Sequence, residues 1–150
     1  MFKSKGGVRV IKFIVYGEPV AQGRPRGTVL NDKVRMYDPA RSSDYKKYVG
    51  FIASQHRPPN LIELAVSLTV KVFRPIPKLN KVKHQQAVEG ILRPVSKPDL
   101  SNYIKGVEDA IEGILIRNDS QVIDYGQSGK WYGEVPRIEV EINLITEVTG

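Results

Sequence analysis

Residues 62–74, IELAVSLTVKVFR, form the most regularly alternating segment of this chain. Apolar side chains recur at every second position and several are β-branched, which predicts a β-strand. Residues 8–16, VRVIKFIVY, alternate at first and then run apolar, and they predict a second strand. A sheet is therefore expected to form the base of the fold, and the remaining segments must pair with it or cover it.

Two further segments have the features of helices. The first helix should begin near Ser42 and Ser43, with Ser or Asp as its cap, and stop at Pro58 and Pro59. The second should run over residues 101–112, with Gly113 as its C-terminal stop.

The connecting segments complete the predicted order. Residues 17–27 are rich in Gly and Pro and predict a loop. The basic, proline-rich stretch 75–99 is a long connection with one short helix expected around 78–88. Residues 120–145 predict two strands joined near residues 133–136. The main elements then follow the order β-α-β-α-β-β. We expect a single α+β domain over residues 1–150, a two-layer α/β sandwich with one mixed sheet and two main helices.

Charge and composition restrict the possible partners. The 150 residues include 23 Lys or Arg against 16 Asp or Glu, a net charge of +7, so an anionic partner is expected, nucleic acid ahead of a membrane surface. The absence of cysteine excludes disulfides, thiolate zinc sites and a cysteine nucleophile, and it fits a cytoplasmic location. Arg9 and Lys12 interrupt the apolar N-terminal run, so neither a signal peptide nor a membrane span is predicted.

The second helix carries two stripes at three- and four-residue steps. One is apolar and predicts a core face, with Ile104, Val107, Ile111 and Ile114. The other is polar, with Asn102, Lys105, Asp109 and Glu112. On its own the polar stripe is typical of a solvated face with a Lys105–Asp109 ion pair worth a few tenths of a kcal/mol.

The start of this helix, KPDLSNYIKG, holds more polar side chains than capping requires. Pro98 keeps Lys97 out of the helical region, so Asp99 should lie just outside the first turn. Asp99 or Ser101 could simply be the N-cap, but one cap is enough.

A second acidic residue is expected nearby. Asn118 and Asp119 fall in a tight turn before a strand, and if that strand lies beside the helix, Asp119 returns toward Asp99. Two carboxylates with nearby amide or hydroxyl oxygens suit a hard cation such as Mg²⁺ or Mn²⁺. Lys105 would then stand one turn along the helix, within reach of a phosphate oxygen.

Residues 97–125, KPDLSNYIKGVEDAIEGILIRNDSQVIDY, resemble the central motif of the RusA-type Holliday junction resolvases. In that family an Asp-x-Asp-Asn-x-x-Lys segment opens a helix, and a further Asp follows in a turn before a strand. The matching residues are Asp99, Asn102, Lys105, Asp119 and Gln121. Residues 17–26, GEPVAQGRPR, also resemble the first loop of the family. The chain departs from the pattern at Ser101, where the family usually has its second aspartate, and at Asn118, where it often has an extra acid.

This resemblance implies a crossover junction endodeoxyribonuclease that acts in DNA recombination and repair. It also implies a phage or prophage origin, because the family is common there. It implies that Asp99 and Asp119 bind Mg²⁺, with Mn²⁺ as a possible substitute, that Ser101 occupies a metal-ligand position, and that Lys105 assists catalysis. It also implies a homodimer that presents two sites to a four-way DNA junction. Supporting oxygens could come from Asn102, Asn118 or water, and a further charge from Asp109 or Asp124 if the fold brings it near.

The predicted chemistry agrees with this set of residues. Phosphodiester hydrolysis needs a nucleophilic water and a stabilised leaving oxygen, and a bound metal supplies both. An ammonium group stabilises the charge that builds on the phosphate oxygens.

Basic side chains are expected to hold DNA by its phosphates, without reading its sequence. The candidates are Arg24 and Arg26 around Pro25, Lys46 and Lys47 on the first helix, and Lys97. Each of them, taken singly, is equally typical of solvated charge.

Two alternatives stay open. Ser101 motivates a protein that binds branched DNA but has lost cleavage. A basic α/β domain that binds RNA or acidic protein would show no preference for branched over linear DNA.

Overall fold

The computed structural model describes residues 9–23, 26–30, 33–37 and 40–145, with the backbone alone considered for 26–30 and 33–37. The strands and helices follow one another as β1 (Val10–Tyr16), β2 (Arg26–Leu30), β3 (Lys33–Tyr37), α1 (Ala40–Ser54), β4 (Val66–Pro75), α2 (Lys81–Val88), α3 (Leu100–Ile111), β5 (Val122–Asp124), β6 (Gly129–Gly133) and β7 (Arg137–Leu144). A single 3₁₀ turn, Asp119–Gln121, precedes β5.

One mixed sheet of five strands forms the base of the fold, as predicted. β7 lies between β1 and β4 and is antiparallel to both. β4 continues the sheet on its other edge, where β5 and β6 pair in parallel with its two halves. β2 and β3 form a separate antiparallel pair.

The helices α1 and α3 cover one face of this sheet. Alternate residues of β1 are buried, namely Ile11, Phe13 and Val15, while those between them are exposed. The predicted apolar stripe of α3 joins the same core, because Ile104, Val107 and Ile111 are buried and Ile114 packs against them. The result is the predicted two-layer α/β sandwich. Among the residues described, no helix is both long and apolar enough to cross a membrane.

Several predicted boundaries are wrong for local reasons. α1 begins at Ala40 rather than near Ser42, because the buried Ser42 hydroxyl accepts a hydrogen bond from the Gly23 N–H (3.2 Å) instead of capping the helix. β4 begins at Val66 rather than at residue 62, because Ile62 pairs with the chain after α3, donating its N–H to the Leu115 carbonyl (2.9 Å).

Residues 120–145 contain three strands rather than the predicted two. Residues 125–128 separate β5 from β6, and Gly126 has φ +47° in this turn. A Cβ at Gly126 would collide with the Thr69 hydroxyl, so glycine is required there. The predicted loop over residues 17–27 holds for 17–23 but is wrong for residues 26 and 27, which open β2.

Candidate active site

The polar face of α3 is organised around Lys105. Its ammonium Nζ lies 3.2 Å from Asp109 Oδ1 and 3.3 Å from Asp119 Oδ2. Lys46 of α1 adds a second cation, 3.7 Å from Asp109 Oδ2. The predicted Lys105–Asp109 pair is therefore confirmed, and Asp119 joins it from a separate part of the chain. Lys105 donates hydrogen bonds to both carboxylates, and these bonds, chiefly the one to Asp109 and then the one to Asp119, raise the pKa of Lys105.

The turn that carries Asp119 is fixed by its neighbours. Asn118 caps it, because Asn118 Oδ1 accepts from the Ser120 N–H (2.9 Å) while Gln121 Oε1 accepts from the Asn118 N–H (2.7 Å). The Asp119 N–H donates to Oε2 of Glu112, the C-cap residue of α3, at 2.8 Å. The side chain of Asn118 thus acts as a cap, and its effect on the site is to hold Asp119 against α3.

Gln121 ties the same turn to the chain before β4. Its amide Nε2 donates to the carbonyl oxygens of Ile62 (2.8 Å) and Leu64 (2.9 Å). Hydrogen bonds of Asn118 before Asp119 and of Gln121 after it therefore fix the backbone that carries the Asp119 carboxylate.

Glu108 is a buried carboxyl that the sequence analysis missed. It is 7% exposed and accepts a hydrogen bond from the Tyr125 hydroxyl at 3.1 Å. The pKa of Glu108 is raised, chiefly by burial. The hydrogen bond from Tyr125 and the charge of Lys105 act in the opposite direction, while the charges of Asp119 and Asp109 add to the increase. The sequence offered one indication that Glu108 lies near the site: it follows Lys105 by three residues, and residues three apart are neighbours on a helix.

Asp99 occupies the N-cap position of α3, but its carboxylate does not cap the helix. Its backbone carbonyl accepts from the N–H groups of Asn102 (3.1 Å) and Tyr103 (3.4 Å), but its side chain makes no cap hydrogen bond. Ser101 is the second residue of the helix, so the alternative that Ser101 is the N-cap is wrong. The capping explanation for these two polar side chains is thereby weakened.

A cleft of about 550 Å³ opens beside the start of α3. The loop after β1 forms one wall, and residues 97–103 form another. Gln22 in that loop donates its N–H to the Asn102 carbonyl at 3.1 Å. Its side-chain Oε1 is buried and has no partner among the described residues. The two segments that resemble family motifs therefore meet at this cleft.

The predicted basic residues take different positions. Lys97 is exposed and lines the cleft, Lys46 pairs with Asp109, and Lys47 is exposed on α1. Arg24 lies outside the described residues, and the backbone of Arg26 opens β2.

The predicted metal ligands divide between two places: Asp99 and Ser101 are at the start of α3, whereas Asp119 lies beside Lys105 and is not among the residues that line the cleft. Asp99, Ser101 and Asn102 line the cleft, and Lys105, which binds Asp119, follows Ser101 by one turn, about 6 Å along the helix axis. Within the described part of the chain, no three Asp, Glu or His side chains are grouped as a ready metal site. The metal site formed by Asp99 and Asp119 stays a prediction.

The donor atoms near the start of α3 suit a hard cation. They are carboxylate, hydroxyl and amide oxygens, the ligand types of Mg²⁺ and Mn²⁺. Asp109 adds a charge near Lys105, as considered from the sequence. Asp124 accepts hydrogen bonds from the Ser67 hydroxyl and the Gly126 N–H (3.1 Å), so its carboxylate is committed to the β4–β5 edge.

Comparison with known proteins finds two similarities. A family model described as endodeoxyribonuclease RusA matches residues 16–143. The chain is also 53% identical over 139 residues to the uncharacterized protein YqaN of Bacillus subtilis (strain 168), a match that covers 91% of this chain and 97% of that protein. The family match includes the loop after β1, all of α3 and the turn at Asp119.

Proposed function

The chain belongs to the RusA endodeoxyribonuclease family, and from this we propose that it is a Mg²⁺-dependent, structure-selective nuclease that resolves four-way DNA junctions. The observation that carries the proposal is the position of Lys105. Its ammonium is held between Asp109 and Asp119, one turn after Ser101 and six residues after the N-cap Asp99, about 9 Å along the helix axis. A fixed cation beside free oxygen ligands is the arrangement that hydrolysis of a phosphodiester requires.

Lys105 acts in this proposal as a permanent positive charge. Because Asp109 and Asp119 raise its pKa, the ammonium keeps its proton at neutral pH. Lys105 is then suited to stabilise negative charge on the phosphate oxygens, and unsuited to accept a proton as a general base. Its half-exposed side chain leaves the ammonium accessible to DNA.

Asp99 and Asp119 are the proposed ligands of Mg²⁺, with Ser101 and Asn102 as neutral oxygen donors. When bound, Mg²⁺ supplies a nucleophilic water and stabilises the leaving oxygen. Asn118 contributes by capping the turn of Asp119.

The basic surface around the site fits an extended anionic substrate. Lys47 and Lys97 are exposed, and the chain carries a net charge of +7. Such groups position DNA through its phosphates. Two symmetric nicks in a junction require two sites related by a twofold axis, so we propose that the protein acts as a homodimer.

The test compares a labelled synthetic four-way junction with a linear duplex, with Mg²⁺, with Mn²⁺ and with chelator. We expect the wild-type protein to cut the junction only when metal is present. Asp99→Asn and Asp119→Asn should abolish cleavage and keep junction binding. Glu134→Gln, which neutralises an exposed carboxylate between β6 and β7, is the matched control and should cut normally. Near-normal cutting by either aspartate variant would refute the assigned site.

One observation favours a second function. Ser101 places a neutral hydroxyl at a proposed ligand position, and this favours a junction-binding protein without cleavage as the alternative. Junction-selective binding without cutting in either metal would establish it. Equal binding of branched and linear DNA would refute both functions. A monomer mass in light scattering at micromolar concentration, with junction present, would refute the homodimer.

A further inference from the structure

The segment that leads into Asp99 has no helix or strand of its own. Residues 91–98 connect α2 with α3 through bends and irregular backbone, and Val95 in their middle is 96% exposed. Neither regular secondary structure nor burial of this side chain fixes the segment. Pro94 is buried, and side chains from the sheet donate hydrogen bonds to the carbonyl oxygens of Ser96 and Pro98, just before Asp99.

Lys130 of β6 makes the central contacts. Its ammonium Nζ donates to the carbonyl oxygens of Ser96 (3.1 Å) and Pro98 (3.0 Å). Arg74 of β4 donates from Nη1 to the same Ser96 carbonyl at 3.0 Å. Because β4 and β6 are parallel neighbours, the two cations reach the segment from adjacent strands.

From these contacts we propose that Lys130, assisted by Arg74, is a positioning residue that sets the place of the Asp99 carboxylate. The Pro98 carbonyl belongs to the peptide unit that leads directly into Asp99, so a bond to that oxygen limits rotation of the backbone from which the carboxylate extends. The inference rests on the proposed function, in which Asp99 is a metal ligand.

A second contact anchors the other end of the segment. Arg93 Nε donates to the Lys130 carbonyl at 2.8 Å, and the guanidinium carbon lies 4.2 Å from the centre of the Trp131 ring. Trp131 stacks in turn on Phe73, with ring centres 5.6 Å apart. A Cβ at position 129 would stand 2.7 Å from Arg93 Nη2, so glycine at this position leaves space for Arg93 to stack on Trp131.

A lysine suits this position because its ammonium has three donors and can serve two carbonyl oxygens at once. A purely structural lysine would affect folding stability alone. A positioning lysine should change metal affinity and cleavage rate beyond any change in stability, because a displacement of about 1 Å at a reacting group can cost about a hundredfold in rate.

The experiment compares Lys130→Met with Lys71→Met, which removes another half-buried lysine of the same sheet, from β4. Mn²⁺ affinity is measured by calorimetry without DNA, junction cleavage under single turnover, and unfolding by heat. For Lys130→Met we expect Mn²⁺ binding about tenfold weaker and cleavage about a hundredfold slower, with junction binding in chelator unchanged. Lys71→Met should match wild type, and Lys130→Arg should recover part of both losses.

Hydrogen exchange provides a readout that needs no metal. The N–H groups of Asn102 and Tyr103 donate to the Asp99 carbonyl, and they should exchange faster in Lys130→Met than in Lys71→Met. Unchanged exchange would overturn the inference even if the wild-type protein bound no metal. Wild-type cleavage combined with equal Mn²⁺ affinity in Lys130→Met would also overturn it while leaving the proposed function intact. A wild-type protein that neither binds Mn²⁺ nor cleaves would contradict the proposed function and the metal-positioning role together.

Discussion

Replacing Lys105 by methionine separates the catalytic role of its ammonium from its structural role. The substitution keeps a long unbranched side chain with high helix propensity, so α3 should persist. It removes the cation that Asp109 and Asp119 share, at 3.2 and 3.3 Å. The two carboxylates then face each other with Lys46 as the nearby positive charge, 3.7 Å from Asp109.

The two effects differ widely in size. The Lys105 side chain is 50% exposed, and an exposed ion pair contributes up to about 1 kcal/mol. Lysine also precedes aspartate in the helical pair, which is the weaker order. A loss of about 1 kcal/mol lowers the melting temperature of a 150-residue domain by about 2–4 °C. By contrast, removing one preorganised electrostatic contact to a transition state costs about a hundredfold to a thousandfold in rate, about 3–4 kcal/mol.

The assay is single-turnover cleavage of a four-way junction at saturating enzyme and Mg²⁺, alongside thermal unfolding. Lys12→Met is the matched control, because Lys12 also forms an exposed ion pair, 3.3 Å from Glu141, but on the strand β1. We expect a large rate loss for Lys105→Met alone, with similar small shifts in melting temperature for both variants. If Lys105→Met unfolds much more readily and its rate per folded molecule equals wild type, Lys105 is structural and the proposed role is refuted.

Two further predictions concern residues of α3. Ser101→Asp should lower the Mg²⁺ concentration needed for half-maximal cleavage, because hard cations favour charged oxygen. If that concentration is the same as in the wild type, Ser101 does not face the cation. Glu108→Gln should stabilise the metal-free protein increasingly as pH rises above the ordinary pKa of a glutamate. Burial raises the folded-state pKa of Glu108, so the folded protein holds this proton longer than the unfolded chain and loses stability as pH rises through that pKa. Urea unfolding in chelator at several pH values measures the difference between variant and wild type, and a constant difference would contradict the assignment.

The sequence predicted α3 well because two independent signals agree there. The apolar stripe set its buried face, and Gly113, with φ +82°, set its end. The β4 strand was also identified, because strict alternation matches a sheet covered by helices on one face. Its first residues were assigned wrongly because the pairing of Ile62 with Leu115 is a tertiary contact that alternation cannot reveal.

The site was predicted less completely for a different reason. Lys105 and Asp109 are four residues apart on one helix, so their contact follows from helical geometry. The approach of Asp119 depends on the capped turn and on Gln121 bonding to residues before β4. The buried Glu108 carboxyl accepts its hydrogen bond from Tyr125, which lies beyond β5, and no local pattern indicates that contact.

The charges around α3 give a physical account of the serine at position 101. Glu108, Asp109, Glu112 and Asp119 carry four carboxyl groups around this helix, and Lys105 and Lys46 contribute two cations. An aspartate at position 101 would lie one turn from Lys105, whose ammonium already serves two carboxylates. It would also stand beside the Asp99 carboxylate at the cleft, and a bound cation would relieve the repulsion between those two charges. With serine, the metal-free protein avoids that cost, and Mg²⁺ should raise its melting temperature only slightly. The same Mg²⁺ concentration should stabilise Ser101→Asp more, because stabilisation by a ligand grows with the ratio of its concentration to its dissociation constant.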